Sequence, residues 1–219
     1  MKVFAINGSP RDKHNTAKML DAFLDGVISA DANADVKRID LYKYSYRGCT
    51  ECFGCKVKGS ANYGKCCYRD DITDILSELA SADVVVFGSP VYFGGITGQL
   101  TCFLERLFYP FTAFKKDAER VIAPRKIKTV FLHTMNISEE MAKMAGYENS
   151  LSGIHKWVQH IFGYEPVVRF LCDIYQLDNH EQYEFDIWDW DAKKKRHDEV
   201  FPKELDSFKE LGRKMASEL

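Results

Sequence analysis

Charge of one sign is the first thing this chain lacks: 30 Lys and Arg stand against 32 Asp and Glu, a formal net charge of −2 at pH 7. So nearly balanced a chain carries no electrostatic footprint for nucleic acid or an anionic membrane, and neither is expected as a partner. An apolar run approaching the length of a bilayer span is missing too. With 14 Gly and 6 Pro in 219 residues there is no low-complexity linker, and one compact domain over residues 1–219 is expected. The first residues run straight into an apolar segment, without a basic stretch and cleavage site, so no export signal is read there. Seven cysteines without such a signal suit the reducing cytoplasm, where clustered thiols more often bind metal or do redox chemistry than staple a fold. Absent as well are the G-x-x-x-x-G-K-[ST] loop of nucleoside triphosphate binders and the G-x-G-x-x-G turn of dinucleotide folds.

What is present is a repeated alternation. Short continuous apolar runs at Val3 to Ile6, Val36 to Leu41, Val84 to Phe87, Ile127 to Leu132 and Val167 to Leu171 read as buried strands. Helical stripes separate or follow them: Met19, Leu20, Phe23 and Val27; Ile72, Ile75 and Leu79; Leu100, Phe103 and Leu107; Leu151, Ile154 and Val158; Leu205, Phe208 and Leu211. Asp70 and Asp71 are expected to cap and charge-stabilise the second of these. Such an order means a parallel sheet covered on both faces, and five strands suit a flavodoxin-like α/β fold of order 2-1-3-4-5, with ligands beyond the carboxyl ends of the strands.

Two loops at that edge carry chemistry. Asn7-Gly8-Ser9-Pro10-Arg11 with Asn15-Thr16 joins the first strand to the first helix, where side-chain donors, free N–H groups and the helix dipole favour an anion. A simple helix cap by Asn15 or Thr16 explains that segment equally well on its own. The second loop, Gly88-Ser89-Pro90-Val91-Tyr92-Phe93-Gly94-Gly95, lets backbone approach a ligand while an aromatic side chain lies against a flat ring. Together they describe a site for a mononucleotide with a large ring, and FMN uses both ends.

These residues, with Asp70-Asp71 and Leu104-Glu105-Arg106-Leu107, resemble the flavodoxin-like NAD(P)H-dependent FMN reductases and the related iron-sulfur flavoproteins. The resemblance implies that Ser9, Arg11, Asn15 and Thr16 hold the FMN phosphate and that Pro90, Val91, Tyr92, Phe93 and Gly94 contact the ring. It places Thr134, Met135 and Asn136 at a third ring-contacting loop. Chemistry would occur at the flavin, tuned by Gly94 and Gly95, so no side-chain triad is expected. The activity implied is hydride transfer from NAD(P)H to FMN and onward reduction of a small acceptor, a quinone, a flavin or similar, by a ping-pong route. The rival is a flavodoxin-type or iron-sulfur electron carrier without a nicotinamide site. Dimers are common in the resembled group, so a homodimer or higher homo-oligomer is expected.

A cysteine-rich insert near 48–68 places Cys49, Cys52 and Cys55 in consecutive C-x-x-C steps, with ten residues between Cys55 and Cys66-Cys67. With Cys66, or alternatively Cys67, as fourth ligand the set suits a [4Fe-4S] cluster or zinc. Reduced thiols, with a reversible disulfide through Cys66 or Cys67, are the other reading. Cys102 and Cys172 are expected in the core. His14 reads as a solvent-exposed loop residue and His133 as a structural histidine, while His155 shows no ligand spacing. Met141 and Met144 read as core gap-fillers or as part of a cover over the cofactor. An aromatic and acidic extension near 175–200 includes Tyr183–Trp190, expected to be extended, and Lys193–Arg196, expected to be a solvated face.

Overall fold

The computed structural model describes residues 1–116 and 120–218; the last residue of the expected 1–219 domain lies outside them. Five strands, β1 (Lys2–Asn7), β2 (Asp35–Asp40), β3 (Val84–Pro90), β4 (Lys128–Thr134) and β5 (Val167–Leu171), form one sheet of order β2-β1-β3-β4-β5. Every neighbouring pair is parallel. This is the flavodoxin-like order.

Burial follows position in the sheet. The three central strands are apolar on successive residues because helices cover both of their faces, whereas the edge strands β2 and β5 are only partly buried. On one face Phe4, Ile6, Val85, Phe87 and Phe131 pack under α2 (Thr73–Leu79), α3 (Gly98–Phe108) and α5 (Tyr147–Phe162). On the other, Val3, Ala5, Val84, Val86, Val130 and Leu132 pack under α1 (Asn15–Ala30) and α7 (Phe201–Ser217). Between them in the chain stand α4 (Glu139–Met144) and α6 (Trp190–Glu199).

Several expectations change here. β3 and β4 run past their apolar cores to Pro90 and Thr134, because Ser89 and Pro90 stay in register with His133 and Thr134. Asp70 does not cap α2, which starts with no side-chain cap; its carboxylate pairs with Arg106 instead. Asp71 accepts the Ser45 N–H at 2.7 Å. Residues 183–189 are not a strand but an irregular stretch leading into α6. Trp190 at its end is buried, its indole N–H donating to the Phe185 carbonyl at 3.0 Å. Lys193–Arg196 is a solvated face only in part: Lys194 and Lys195 are exposed, but Lys193 is buried, and Arg196 pairs with Glu204 at 2.6 Å. Cys102 and Cys172 are half-buried rather than core, and Met141 and Met144 are exposed, so neither methionine fills a core gap.

α1 and α7 cross at near-backbone contact. A Cβ on Gly26 would lie 1.9 Å from the Lys209 carbonyl oxygen, and one on Gly212 would lie 2.0 Å from that of Phe23. Helix propensity alone favours alanine over glycine by about 1 kcal/mol. Overlap with backbone, which cannot rotate away, outweighs that. Gly212→Ala is therefore expected to lower the unfolding free energy by about 2 kcal/mol, read from the urea midpoint.

Candidate functional site

Three loops meet at the carboxyl edge of β1, β3 and β4. In the first, Asn7 is fully buried, donates to Asp40 at 2.9 Å and accepts the Ser9 N–H at 3.0 Å, which turns the chain sharply after the strand. Ser9 Oγ accepts the Arg11 N–H at 3.2 Å. The helix that follows has His14 at its N-cap with no side-chain capping bond, so neither Asn15 nor Thr16 is a simple cap. Asn15 Nδ2 donates to the Tyr175 carbonyl at 2.9 Å, and Arg11 Nη1 donates to that of Gln176 at 2.6 Å. Thr16 Oγ1 shares a hydrogen bond of 3.0 Å with Thr134 Oγ1 on the third loop.

In the second loop the Ser89 hydroxyl receives the Thr97 N–H at 3.1 Å, and Thr97 Oγ1 donates to the Gly8 carbonyl at 2.7 Å. Tyr92 and Gly95 exchange two backbone hydrogen bonds of 2.9 Å, closing a tight turn. Gly95's N–H is thus committed to Tyr92, which leaves Gly94, at φ +76°, as the donor to weigh at this turn. Ser150 Oγ on α5 pins the turn by donating to the Gly94 carbonyl at 2.6 Å. Phe93 holds a left-handed conformation, φ 52°, that costs a non-glycine residue about 1–2 kcal/mol, and its side chain is wholly exposed.

The loops enclose a pocket of about 150 Å³. Ser9, Arg11, Asn15 and Thr16 line it from the first loop, Pro90, Val91 and Tyr92 from the second, and Thr134, Met135 and Asn136 from the third. Phe93, Gly94 and Gly95 stand outside this lining. His14, half-buried rather than solvent-exposed, joins it, as do Ile174 and Gln176 from the segment after β5. No sequence motif marked those last two; the signal was the short apolar Ile174 just beyond the strand end. Asn136 Oδ1, on a residue of this lining, is buried and has no partner. Lys193 fixes the backbone there, its ammonium donating to the Asn136 carbonyl at 2.7 Å while pairing with Asp173.

A larger cavity of about 730 Å³ lies beyond Met135, over the edge strand β5. Its wall mixes Glu139, Glu148, Arg169 and Arg196 with Cys172. Size alone would favour it. The smaller pocket is the better site because buried polar side chains converge on it from three strand ends.

The cysteine insert forms a second centre. Cys49, Cys52, Cys55, Cys66 and Cys67 all line one small cavity of about 20 Å³ beside Arg106. Arg106 is among the most deeply buried side chains; burial penalises its charge, but Asp70 and Cys66 hold it protonated. Lys56 fastens the insert by donating to the carbonyls of Tyr109, Pro110 and Thr112. Glu51 and Phe53, on either side of Cys52, both have φ in the left-handed region. The Gly54 N–H and the Cys67 thiol pull Cys52 below its ordinary pKa; burial and Cys52 push Cys67 above its own. Among the described residues no three His, Cys, Asp or Glu side chains converge on a point as one metal ion requires.

The first 147 residues match the family model described as NADPH-dependent FMN reductase. The chain belongs to that family. It is also 36% identical over 106 residues to an iron-sulfur flavoprotein of Methanocaldococcus jannaschii, covering 48% of this chain and 51% of that one. An iron-sulfur flavoprotein of Archaeoglobus fulgidus is 34% identical over 124 residues, 57% of each chain. The chain thus spans about half the length of these curated relatives. Among solved structures, the NAD(P)H:quinone oxidoreductase from Methanothermobacter marburgensis superposes with a TM-score of 0.68 at 16% identity, over 98% of this chain and 96% of that one. An azoreductase from Bacillus anthracis gives 0.67 at 17%, over 97% and 99%. At these identities the likeness concerns the fold. No helix among the described residues is long and apolar enough to cross a membrane.

Sequence spacing did not pair His133 with His155. β4 and α5 bring their Nε2 atoms to 3.0 Å, with His133 stacked between Phe131 and Phe170 and its Nδ1 buried without a partner. Burial, with the charge of His155 added, lowers the His133 pKa from 6.5 to about 3, and burial lowers that of His155 to about 4. Both rings are therefore neutral in the folded chain at pH 7. Depressed native values mean that their contribution is complete above pH 6.5 and is lost as pH falls toward 3. The urea midpoint should fall steadily from pH 7 to pH 4, and His133→Phe should flatten that slope.

Proposed function

We propose that the chain is an FMN-dependent oxidoreductase that takes a hydride from NAD(P)H and reduces a small acceptor, a quinone, a flavin or similar, by a ping-pong route. The observation that carries this reading is the pocket where three strand-end loops bring Ser9, Asn15, Thr16, Thr134 and the unpartnered Asn136 Oδ1 together. An uncapped helix start on one side and apolar Pro90, Val91 and Met135 on the other suit a molecule with a phosphate at one end and a flat ring at the other. Ser9, Arg11, Asn15 and Thr16 would hold the phosphate. Pro90, Val91, Tyr92 and Gly94 would flank the ring, with Thr134, Met135 and Asn136 along its polar edge. Bound FMN supplies hydride acceptance and onward passage of one or two electrons. The chain's own part is to orient and shield: Met135 and Ile174 exclude water, and Asn136 Oδ1 offers an acceptor to a ring N–H.

Phe93 is left outside, strained and exposed. A second copy of the chain covering it, in a homodimer or higher homo-oligomer, belongs to the same reading. So does a reducing, cytoplasmic setting for seven free cysteines.

The second reading, an iron-sulfur electron carrier, is favoured by one observation: five thiols share a cavity with a buried guanidinium. A [4Fe-4S] cluster fits this donor set better than a zinc ion, since ligand sulfurs spread around a multi-iron core need not converge on one point. Cys49, Cys52 and Cys55 would hold it, with Cys66 or Cys67 as fourth. Such a group supplies single-electron transfer and is compatible with either reading.

Two measurements test the proposal. Anaerobically purified protein loaded with FMN should bleach at the flavin bands within seconds of mixing with NADPH or NADH; no bleaching with either nicotinamide favours the carrier. Arg11→Ala should weaken FMN binding about tenfold in a fluorescence titration, as expected for a charged hydrogen-bonding group. Unchanged affinity would remove Arg11 from the anchor.

A further inference from the structure

Cys66 and Cys67 are adjacent, yet their sulfurs take different partners. Cys67 Sγ lies 3.8 Å from Cys52 Sγ, over the turn that carries Cys52 and Cys55. Gly54 makes the room: a Cβ built there would be 2.1 Å from Cys67 Sγ and 3.9 Å from Cys52 Sγ. Any other residue at 54 would expel that sulfur from the concavity. Cys66 Sγ instead accepts a hydrogen bond from Arg106 Nε at 3.4 Å. That guanidinium is not free to follow a moving sulfur. Its Nη atoms are engaged by the Asp70 carboxylate, by the Tyr68 carbonyl at 2.9 Å and by the Arg47 carbonyl at 3.4 Å. The planar fork fixes all three directions at once, so Nε points to one place on the cavity wall and holds Cys66 there.

We infer that Cys67, and not Cys66, is the fourth thiolate beside Cys49, Cys52 and Cys55, and that Cys66 is a neighbouring thiol held off the metal by Arg106. This rests on the iron-sulfur reading above. Each ligand sulfur binds as thiolate, its proton passing to solvent, and no electron moves in that step. The buried charge of Arg106 lies against the same cavity and offsets part of the negative charge of four thiolates and their cluster. The ten-residue spacer then serves to deliver two consecutive cysteines, one to the turn over Gly54 and one to the arginine against the core.

The test compares wild type, Cys66→Ala and Cys67→Ala, purified anaerobically and reconstituted with iron and sulfide. Iron and acid-labile sulfide per chain, and the low-temperature EPR signal after dithionite reduction, are measured beside far-ultraviolet circular dichroism. Cys66→Ala should keep wild-type iron and sulfide, and Cys67→Ala should lose more than half of both with its dichroism unchanged. Loss of the cluster in Cys66→Ala overturns the inference even where Cys67→Ala does not fold, and a full cluster in Cys67→Ala overturns it too. Wild type that takes up neither iron nor sulfide removes the iron-sulfur reading and this assignment with it, a result distinct from either variant's.

Discussion

Main-chain hydrogen bonds that carry the sheet ladder beyond the last paired residues are the constraint on which the site depends. Gly8 donates to the Gly88 carbonyl at 2.8 Å, Val91 to that of Thr134 at 2.8 Å and Met135 to that of Leu171 at 2.9 Å. Each bond joins the first residues of one loop to its neighbour, from β1 across to β5. Loops that would otherwise move separately are therefore extensions of the sheet, and the polar side chains between them are held at a set spacing. Thr16 meeting Thr134 and Thr97 meeting Gly8 follow from this, as side chains added to a frame the backbone already sets. The segment after β5 is drawn in by the same means, Ile174 donating to the Met135 carbonyl at 3.2 Å, so that Tyr175 and Gln176 reach Asn15 and Arg11.

The central strands were legible in the sequence because burial on both faces leaves an unbroken apolar run; Val36 to Leu41 and Val167 to Leu171 were read in the same way, and the structure makes them edge strands that are only partly buried. The first two loops were legible for a similar reason: glycine, proline and small polar residues at a strand end have few other uses. α6 was not. Its sequence from Trp190 to Glu199 has almost no apolar stripe, and it is held instead by Trp190, by Lys193 reaching the Asn136 carbonyl and Asp173, and by Arg196 on Glu204. Charged side chains with specific partners look like a solvated run until the partners are known. Asp70 misled in the opposite way: it stands where a helix cap should stand, but one carboxylate oxygen pairs with a buried arginine 36 residues later and the other accepts only the N–H of Ile72, ahead of the helix, at 3.4 Å. His133 and His155 belong to the same class, since a contact between a strand and the helix 22 residues on leaves no mark at either position. The assignment of Phe93 to the ring-binding set followed from its neighbours in the loop, whereas the tight Tyr92–Gly95 turn points it outward.

α3 joins the two centres. At its start Thr97 accepts the Leu100 N–H, binds Gly8 and donates its own N–H to Ser89, so this end of the helix is part of the loop frame around the pocket. Further on, Glu105 accepts the Cys49 N–H at 3.0 Å and Arg106 holds Cys66. Nine residues separate Thr97 from Arg106, a rise of about 14 Å along the axis. A helix buried on one face against the sheet does not shorten or bend under small loads, so the thiol loop and the pocket are kept at constant separation. The insert needs this support, because its own backbone spends energy on left-handed residues at 51 and 53 and buries little apolar surface. Arg106, Asp70 and Lys56 supply the compensation as ion pair and hydrogen bonds rather than as core. Substitutions at Arg106 should then disturb the thiol loop and leave the pocket's frame intact, because the frame hangs on the other end of the helix.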